Sequence, residues 1–176
     1  MNLPNLLTIV RFLLIPVMTF FLLKQNYTFA ILMYVLASIT DILDGYIARK
    51  YNMITRLGKI LDPMADKLLQ FAALLGLWIV GVIPFWITLI FFLKEIFMGV
   101  GALKLLKNKD VVISSKWFGK MSTVFFFVAI IFSMLSENVI VLKPYVLPTF
   151  ILALISLFFA FVMYFINYVK EAKRGL

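Results

Sequence analysis

Four of the chain's eight acidic residues, Asp41, Asp44, Asp62 and Asp66, fall within 26 residues. Their spacing is what could do chemistry. Asp41 and Asp44 stand three apart and Asp62 and Asp66 four apart, so on helices each pair projects from one face. The pairs are arranged about Met53. Asp44 lies nine residues before it and Asp62 nine after; Asp41 lies twelve before and Asp66 thirteen after. A chain that folds back near Met53 sets Asp44 beside Asp62 and Asp41 beside Asp66. A continuous helix would hold Asp44 and Asp62 about 27 Å apart. The charged, weakly helical stretch from Lys50 to Arg56 favours the hairpin.

Four carboxylates gathered in this way repel one another and are costly to desolvate. Cations offset that cost. The chain has no histidine and no cysteine, so any metal must be held by oxygen. Mg²⁺ or Mn²⁺ is expected, with two ions on the four aspartates handling a diphosphate substrate. Gly45 and Gly58 remove side chains beside the acids, where a nucleotide or another stretch of backbone could approach closely. Arg49 lies one helical turn beyond Gly45, placed to hold a phosphate.

The elements that must position these groups follow from composition. Of 176 residues, 64% are hydrophobic and 14% charged, with a mean hydropathy of +1.08. Soluble domains are about half apolar and a quarter charged. A water-soluble domain and a disordered chain are both excluded. Six apolar segments can be read: Leu6–Leu23, Phe29–Ala48, Leu57–Val80, Pro84–Leu106, Trp117–Leu135 and Tyr145–Val169. At about 20 residues per span, they predict an all-α integral membrane protein of six transmembrane helices, forming a single domain over 1–176. Pro4 and Asn5 fit a helix start, with Asn5 as its cap. Arg11 interrupts the first apolar run, and no basic stretch precedes it, unlike a secretory signal. Gly81 and Pro84 mark a turn.

The net charge of +9 reads as membrane topology and contact with anionic lipid rather than nucleic-acid binding. Arg49, Lys50, Arg56 and Lys59 fall in one connection. Lys104, Lys107, Lys109, Lys116 and Lys120 fall in another, and Lys170, Lys173 and Arg174 in the tail. The opposite side has Lys24 and Lys143. The richer side is cytoplasmic, which places both termini and the aspartates' boundary there. Lys94, Lys104, Lys116 and Lys120 are candidates for binding an acceptor phosphate. Lys94 and Glu95 form an ion pair inside a span, which suggests a cavity.

The run Asp41-x2-Asp44-Gly45-x2-Ala48-Arg49-x8-Gly58-x3-Asp62-x3-Asp66 resembles the signature of the CDP-alcohol phosphatidyltransferases, with all eight fixed positions present. Asn5 to Arg11 and Leu61 to Lys67 are similar to the phosphatidylglycerophosphate synthases of that family. The resemblance implies a six-helix membrane enzyme, usually dimeric, working at the cytoplasmic boundary of a bacterial membrane. It implies attack by an alcohol on the lipid-side phosphorus of CDP-diacylglycerol, releasing CMP. By the same resemblance Asp41, Asp44 and Asp62 hold one metal, and Asp41, Asp62 and Asp66 the second. Asp66 accepts the hydroxyl proton. Gly45, Ala48, Arg49, Thr55 and Gly58 serve the CDP-lipid, as do Asn5 and Thr8. Glycerol 3-phosphate is the implied acceptor, with phosphatidylglycerol as the alternative.

The acceptor half departs from the synthases' pattern. Lys94-Glu95-Ile96 stands where they typically read Arg-Glu-Ile, and Ser122 where they often carry a lysine; Lys116 adds a charge just upstream of Trp117. Two other classes use aspartates in membranes. Prenyl transferases place their acidic motifs further apart and need more spans. A divalent-cation channel leaves Gly45, Arg49 and Gly58 unexplained.

Overall fold

The computed structural model describes residues 3–51, 58–107 and 117–174, and within them the side chains of 6–51, 58, 61–97, 119, 121–163 and 166. These residues form six long α-helices and no strand. The helices are α1 (Leu3–Leu23), α2 (Tyr27–Lys50), α3 (Gly58–Ile79), α4 (Phe85–Lys107), α5 (Trp117–Asn138) and α6 (Val146–Arg174). A short 3₁₀ turn, Ile140–Tyr145, leads into α6. The six apolar segments each fall on one helix. Asn5 lies inside α1 rather than capping it, because the helix begins at Leu3. Pro4 costs nothing in that first turn, where its missing N–H has no helical partner to lose.

Among the described residues, four stretches are long and apolar enough to cross a membrane: Leu6–Leu23, Tyr27–Lys50, Met121–Asn138 and Ile140–Met163. Of the six expected spans, four are therefore met by length and composition, in α1, α2, α5 and the 3₁₀ turn with α6. α3 carries Asp62, Asp66 and Lys67 in its first half, and α4 carries Lys94 and Glu95. α1 and α2 bring charge to the site as well, in Arg11, Asp41 and Asp44.

α1 is the hub of the site-bearing half. Thr8, Arg11, Ile15, Met18 and Leu22 are all buried, at intervals of three and four, so one stripe faces the protein. Leu13, Val17 and Phe20 on the other side are exposed, as lipid contact requires. α1 packs along both α2 and α3, which also touch each other. Ala30 and Ala37 on α2 are fully buried, and small residues of this kind let membrane helices approach closely. Gly76 does the same on α3, since a Cβ there would lie 2.5 Å from Leu22 Cδ2.

Turns hold this register. After α1, Gln25 takes a left-handed conformation (φ 58°), and Asn26 N–H bonds back to the Phe21 carbonyl at 2.9 Å. The Asn26 side chain then caps α2. After α3, Gly81 (φ 80°) ends the helix, with Val82 N–H donating to the Leu77 carbonyl at 2.9 Å. On the far side, α5 packs against α2, α3 and α6. A run of rings, Phe91 to Phe126 to Phe150, joins α4, α5 and α6 with centroids 5.0 and 6.4 Å apart.

Candidate active site

The site lies where the first turns of α1 meet the end of α2 and the start of α3. Thr8 and Arg11 stand one turn apart on the buried stripe of α1, so both point at the aspartates. The Thr8 hydroxyl donates to Asp62 Oδ1 at 2.7 Å and lies 3.5 Å from Asp44 Oδ2. One side chain of α1 therefore ties the two arms of the hairpin together. Asp44 and Asp62 meet around that hydroxyl. Asp41 is near enough to both Asp62 and Asp66 for mutual repulsion. The turn at Met53 itself lies outside the described residues.

Arg11 is fully buried and pairs with both acids of α2. Its Nη1 is 2.7 Å from Asp41 Oδ1, and its Nη2 donates to Asp44 Oδ2. Asp44 is almost wholly buried, whereas the Asp41 side chain keeps 41% of its exposure. The cluster thus has a closed end at Asp44 and an open end at Asp41. Asp66, on the open side, receives a hydrogen bond from Gln70 Nε2 at 3.3 Å. Its other oxygen is 3.9 Å from Lys67 Nζ.

Lys67 connects this cluster to a second one. Its ammonium lies 3.1 Å from Glu95 Oε1 on α4, and Lys94 Nζ approaches the same oxygen at 2.6 Å. Lys94 also lies 5.7 Å from the centroid of the Phe91 ring. Two cations sharing one carboxylate leave this half-buried cluster a net positive charge beside Asp66.

The remaining expected site residues divide in two. Gly45 and Ala48 are half-buried on α2, Arg49 is exposed at its end, and Gly58 is buried at the start of α3. A Cβ at Gly45 would meet Arg49 Nη2 at an ordinary 3.6 Å, so nothing within the described chain requires glycine there. Asn5, Lys104 and Lys120 are placed on α1, α4 and α5 by backbone alone, and Thr55 and Lys116 lie outside the described residues. Sequence reasoning missed Arg11, Lys67 and Gln70. Arg11 had a signal, three residues after Thr8 on the same helical face.

The donor set suits a hard divalent cation, since it offers carboxylate oxygens from two helices and no nitrogen or sulfur ligand. Among the described residues no three acidic side chains close on a common point; the α2 pair is turned toward Arg11.

Fold and site together define an α-helical membrane protein whose charged groups are concentrated at one end of a three-helix unit. A profile of the CDP-alcohol phosphatidyltransferases matches residues 1–166, and the chain belongs to that family and is an enzyme of that class. A protein of Aquifex aeolicus named CDP-diacylglycerol–glycerol-3-phosphate 3-phosphatidyltransferase is 39% identical over 131 residues, covering 71% of each chain. A Bacillus subtilis protein of the same name is 34% identical over 137 residues, covering 69% of this chain and 70% of its own. A Mycobacterium tuberculosis protein, named a probable phosphatidylglycerophosphate synthase, is 38% identical over 131 residues. The match covers 69% of this chain and 60% of the mycobacterial one.

Proposed function

We propose that this enzyme transfers the phosphatidyl group of CDP-diacylglycerol to glycerol 3-phosphate, giving phosphatidylglycerophosphate and CMP. The observation that supports the reading is the approach of Asp44 on α2 and Asp62 on α3 around the Thr8 hydroxyl, with Asp41 and Asp66 on the same two helices, in a chain of this family. The names of the three relatives support the choice of acceptor.

The acceptor's hydroxyl oxygen attacks the lipid-side phosphorus of the donor. The bond from that phosphorus to the bridging oxygen breaks, CMP leaves with the electron pair, and the hydroxyl proton passes to Asp66. Asp66 suits this role by position, with one oxygen fixed by Gln70 and the other beside Lys67. Asp41, Asp44, Asp62 and Asp66 would hold Mg²⁺ or Mn²⁺, as a pair of ions, and such ions would supply neutralisation of the diphosphate and of the charge on departing CMP. Gly45, Ala48, Arg49 and Gly58 receive the CDP part, together with Asn5, Thr8 and Thr55. Lys94, Lys104, Lys116 and Lys120 are the candidates for meeting the acceptor's phosphate.

In this reading α3 and α4 complete six spans, the charge-rich connections and both termini face the cytoplasm of a bacterium, and two copies form a dimer. The partners are lipid and a small polar alcohol, not nucleic acid. An acceptor screen tests the reading. Purified enzyme is given CDP-diacylglycerol, Mg²⁺ or Mn²⁺, and either labelled glycerol 3-phosphate or phosphatidylglycerol, and CMP release is followed. Glycerol 3-phosphate is expected to yield labelled lipid. CMP release with phosphatidylglycerol alone would reassign the enzyme to cardiolipin synthesis.

A further inference from the structure

Arg11 is the one basic side chain fully buried against the aspartates among the described residues, and its place in the chemistry above is unassigned. Its guanidinium engages Asp41 at 2.7 Å and Asp44 more closely still. It is imperfectly satisfied there. Nε and Nη1 are buried without a properly aligned hydrogen bond, so the Asp41 contact is an ion pair alone. Leaving buried donors unmatched is costly, and a fork held in this way is primed to yield part of its grip.

We propose that Arg11 is a positioning residue that acts as a resident competitor for the divalent cations of the site. This rests on the reading that the aspartates hold such cations. The guanidinium and a metal ion seek the same oxygens of Asp41 and Asp44. Each cation that binds must loosen the Arg11 pair, and Arg11 must restore it when the cation leaves. Two consequences follow. The carboxylates stay paired and the helices stay docked when no metal is held, which a membrane interior requires of buried acids. Metal affinity is also held below what four unopposed aspartates would give, because a fixed positive charge at contact distance opposes a second one. Asp44, buried and doubly engaged by Arg11 and Thr8, is the anchor. Asp41, half exposed, is the arm that exchanges. Thr8 keeps Asp62 in place throughout.

The test measures Mn²⁺ binding by electron paramagnetic resonance, and thermal unfolding with and without Mn²⁺, on the full-length protein in lipid nanodiscs. Wild type is compared with Arg11→Gln and Arg11→Lys. Arg11→Gln is expected to bind Mn²⁺ about tenfold more tightly. Arg11→Lys keeps the charge but loses the two-pronged grip, and is expected to bind about threefold more tightly. The Gln variant should also unfold at a lower temperature without metal, and saturating Mn²⁺ should remove most of that deficit. A purely structural role for Arg11 predicts the reverse: a stability loss that Mn²⁺ leaves intact, with binding unchanged or weaker. That result overturns the proposal. If Arg11→Gln does not fold, unchanged or weaker binding by Arg11→Lys overturns it alone. If wild type binds no Mn²⁺, the metal-site reading falls and the proposal with it.

Discussion

Two clusters of charge meet at Asp66, and they are built in opposite ways. Where α1, α2 and α3 meet, two carboxylates of α2 share one buried guanidinium and Asp62 lies beside them, leaving an excess of negative charge. At the α3–α4 end two ammonium groups share one carboxylate, leaving an excess of positive charge. The first is a place for cations and, through them, for a diphosphate. The second is a place for an anion. The two come within 3.9 Å at the Asp66–Lys67 pair. A reaction that joins a diphosphate lipid to a phosphate-bearing alcohol needs such a boundary, with the proton acceptor at the seam. Each end also carries its own counter-charge, Arg11 in one and Glu95 in the other, so neither cluster is unpaired when substrate is absent.

The sharpest way to break this comparison is at the seam. Asp66→Asn is expected to lower CMP release at least about a thousandfold, the scale of a lost general base, while CDP-diacylglycerol binding in vesicles persists. Normal turnover by the variant would remove Asp66 from the chemistry and leave the two clusters without a common purpose. The next effect in size belongs to the positive cluster. Lys94→Gln leaves Glu95 held by Lys67, so the fold should survive. The KM for glycerol 3-phosphate is expected to rise about tenfold, one charged hydrogen bond's worth, with the KM for CDP-diacylglycerol nearly constant. Equal losses for both substrates would show that the clusters do not divide the work.

The two regions also differed in how far the amino-acid order disclosed them. The aspartate pairs were legible because their information is local: spacing of three and four within a helix, and near-symmetry about Met53. The helices were legible because apolar length alone specifies them, to within a few residues at most ends. Contacts between helices distant in sequence were not. Arg11 read as an interruption of an apolar run, though it pairs with acids 30 and 33 positions away. Its direction is set by the rotation of α1, which Ile15, Met18 and Leu22 fix by burial. Lys67 read as one more charge in a span, though it bridges to Glu95, 28 positions away. Hydropathy marks such residues as costly; only packing says which neighbour offsets the cost. The contact of the Thr8 hydroxyl with Asp62, 54 positions away, was likewise beyond local spacing.

Two smaller effects sharpen the negative cluster's dependence on α1. Thr8→Val keeps shape and removes the hydroxyl that Asp62 accepts from at 2.7 Å. A lost bond to a charged acceptor costs about 1.5–3 kcal/mol, so kcat/KM is expected to fall about tenfold or somewhat more, with the acceptor KM unmoved. Gly76→Ala acts from further off. The new methyl would lie 2.5 Å from Leu22 Cδ2 and 3.2 Å from its Cγ, so Leu22 must turn or α1 must lift from α3. Overpacking of this kind costs about 1–3 kcal/mol, offset by the roughly 1 kcal/mol that alanine gains over glycine within a helix. The net loss in thermal stability should therefore be small. Leu22→Ala in the same chain should relieve the clash and leave a smaller deficit than either change alone would suggest. Because α1 carries Thr8 and Arg11 and neither lysine of the positive cluster, any activity lost should appear in metal affinity and donor use. A loss confined to the acceptor KM would mean that α1 reaches both ends of the site, and that the division drawn at Asp66 is in the wrong place.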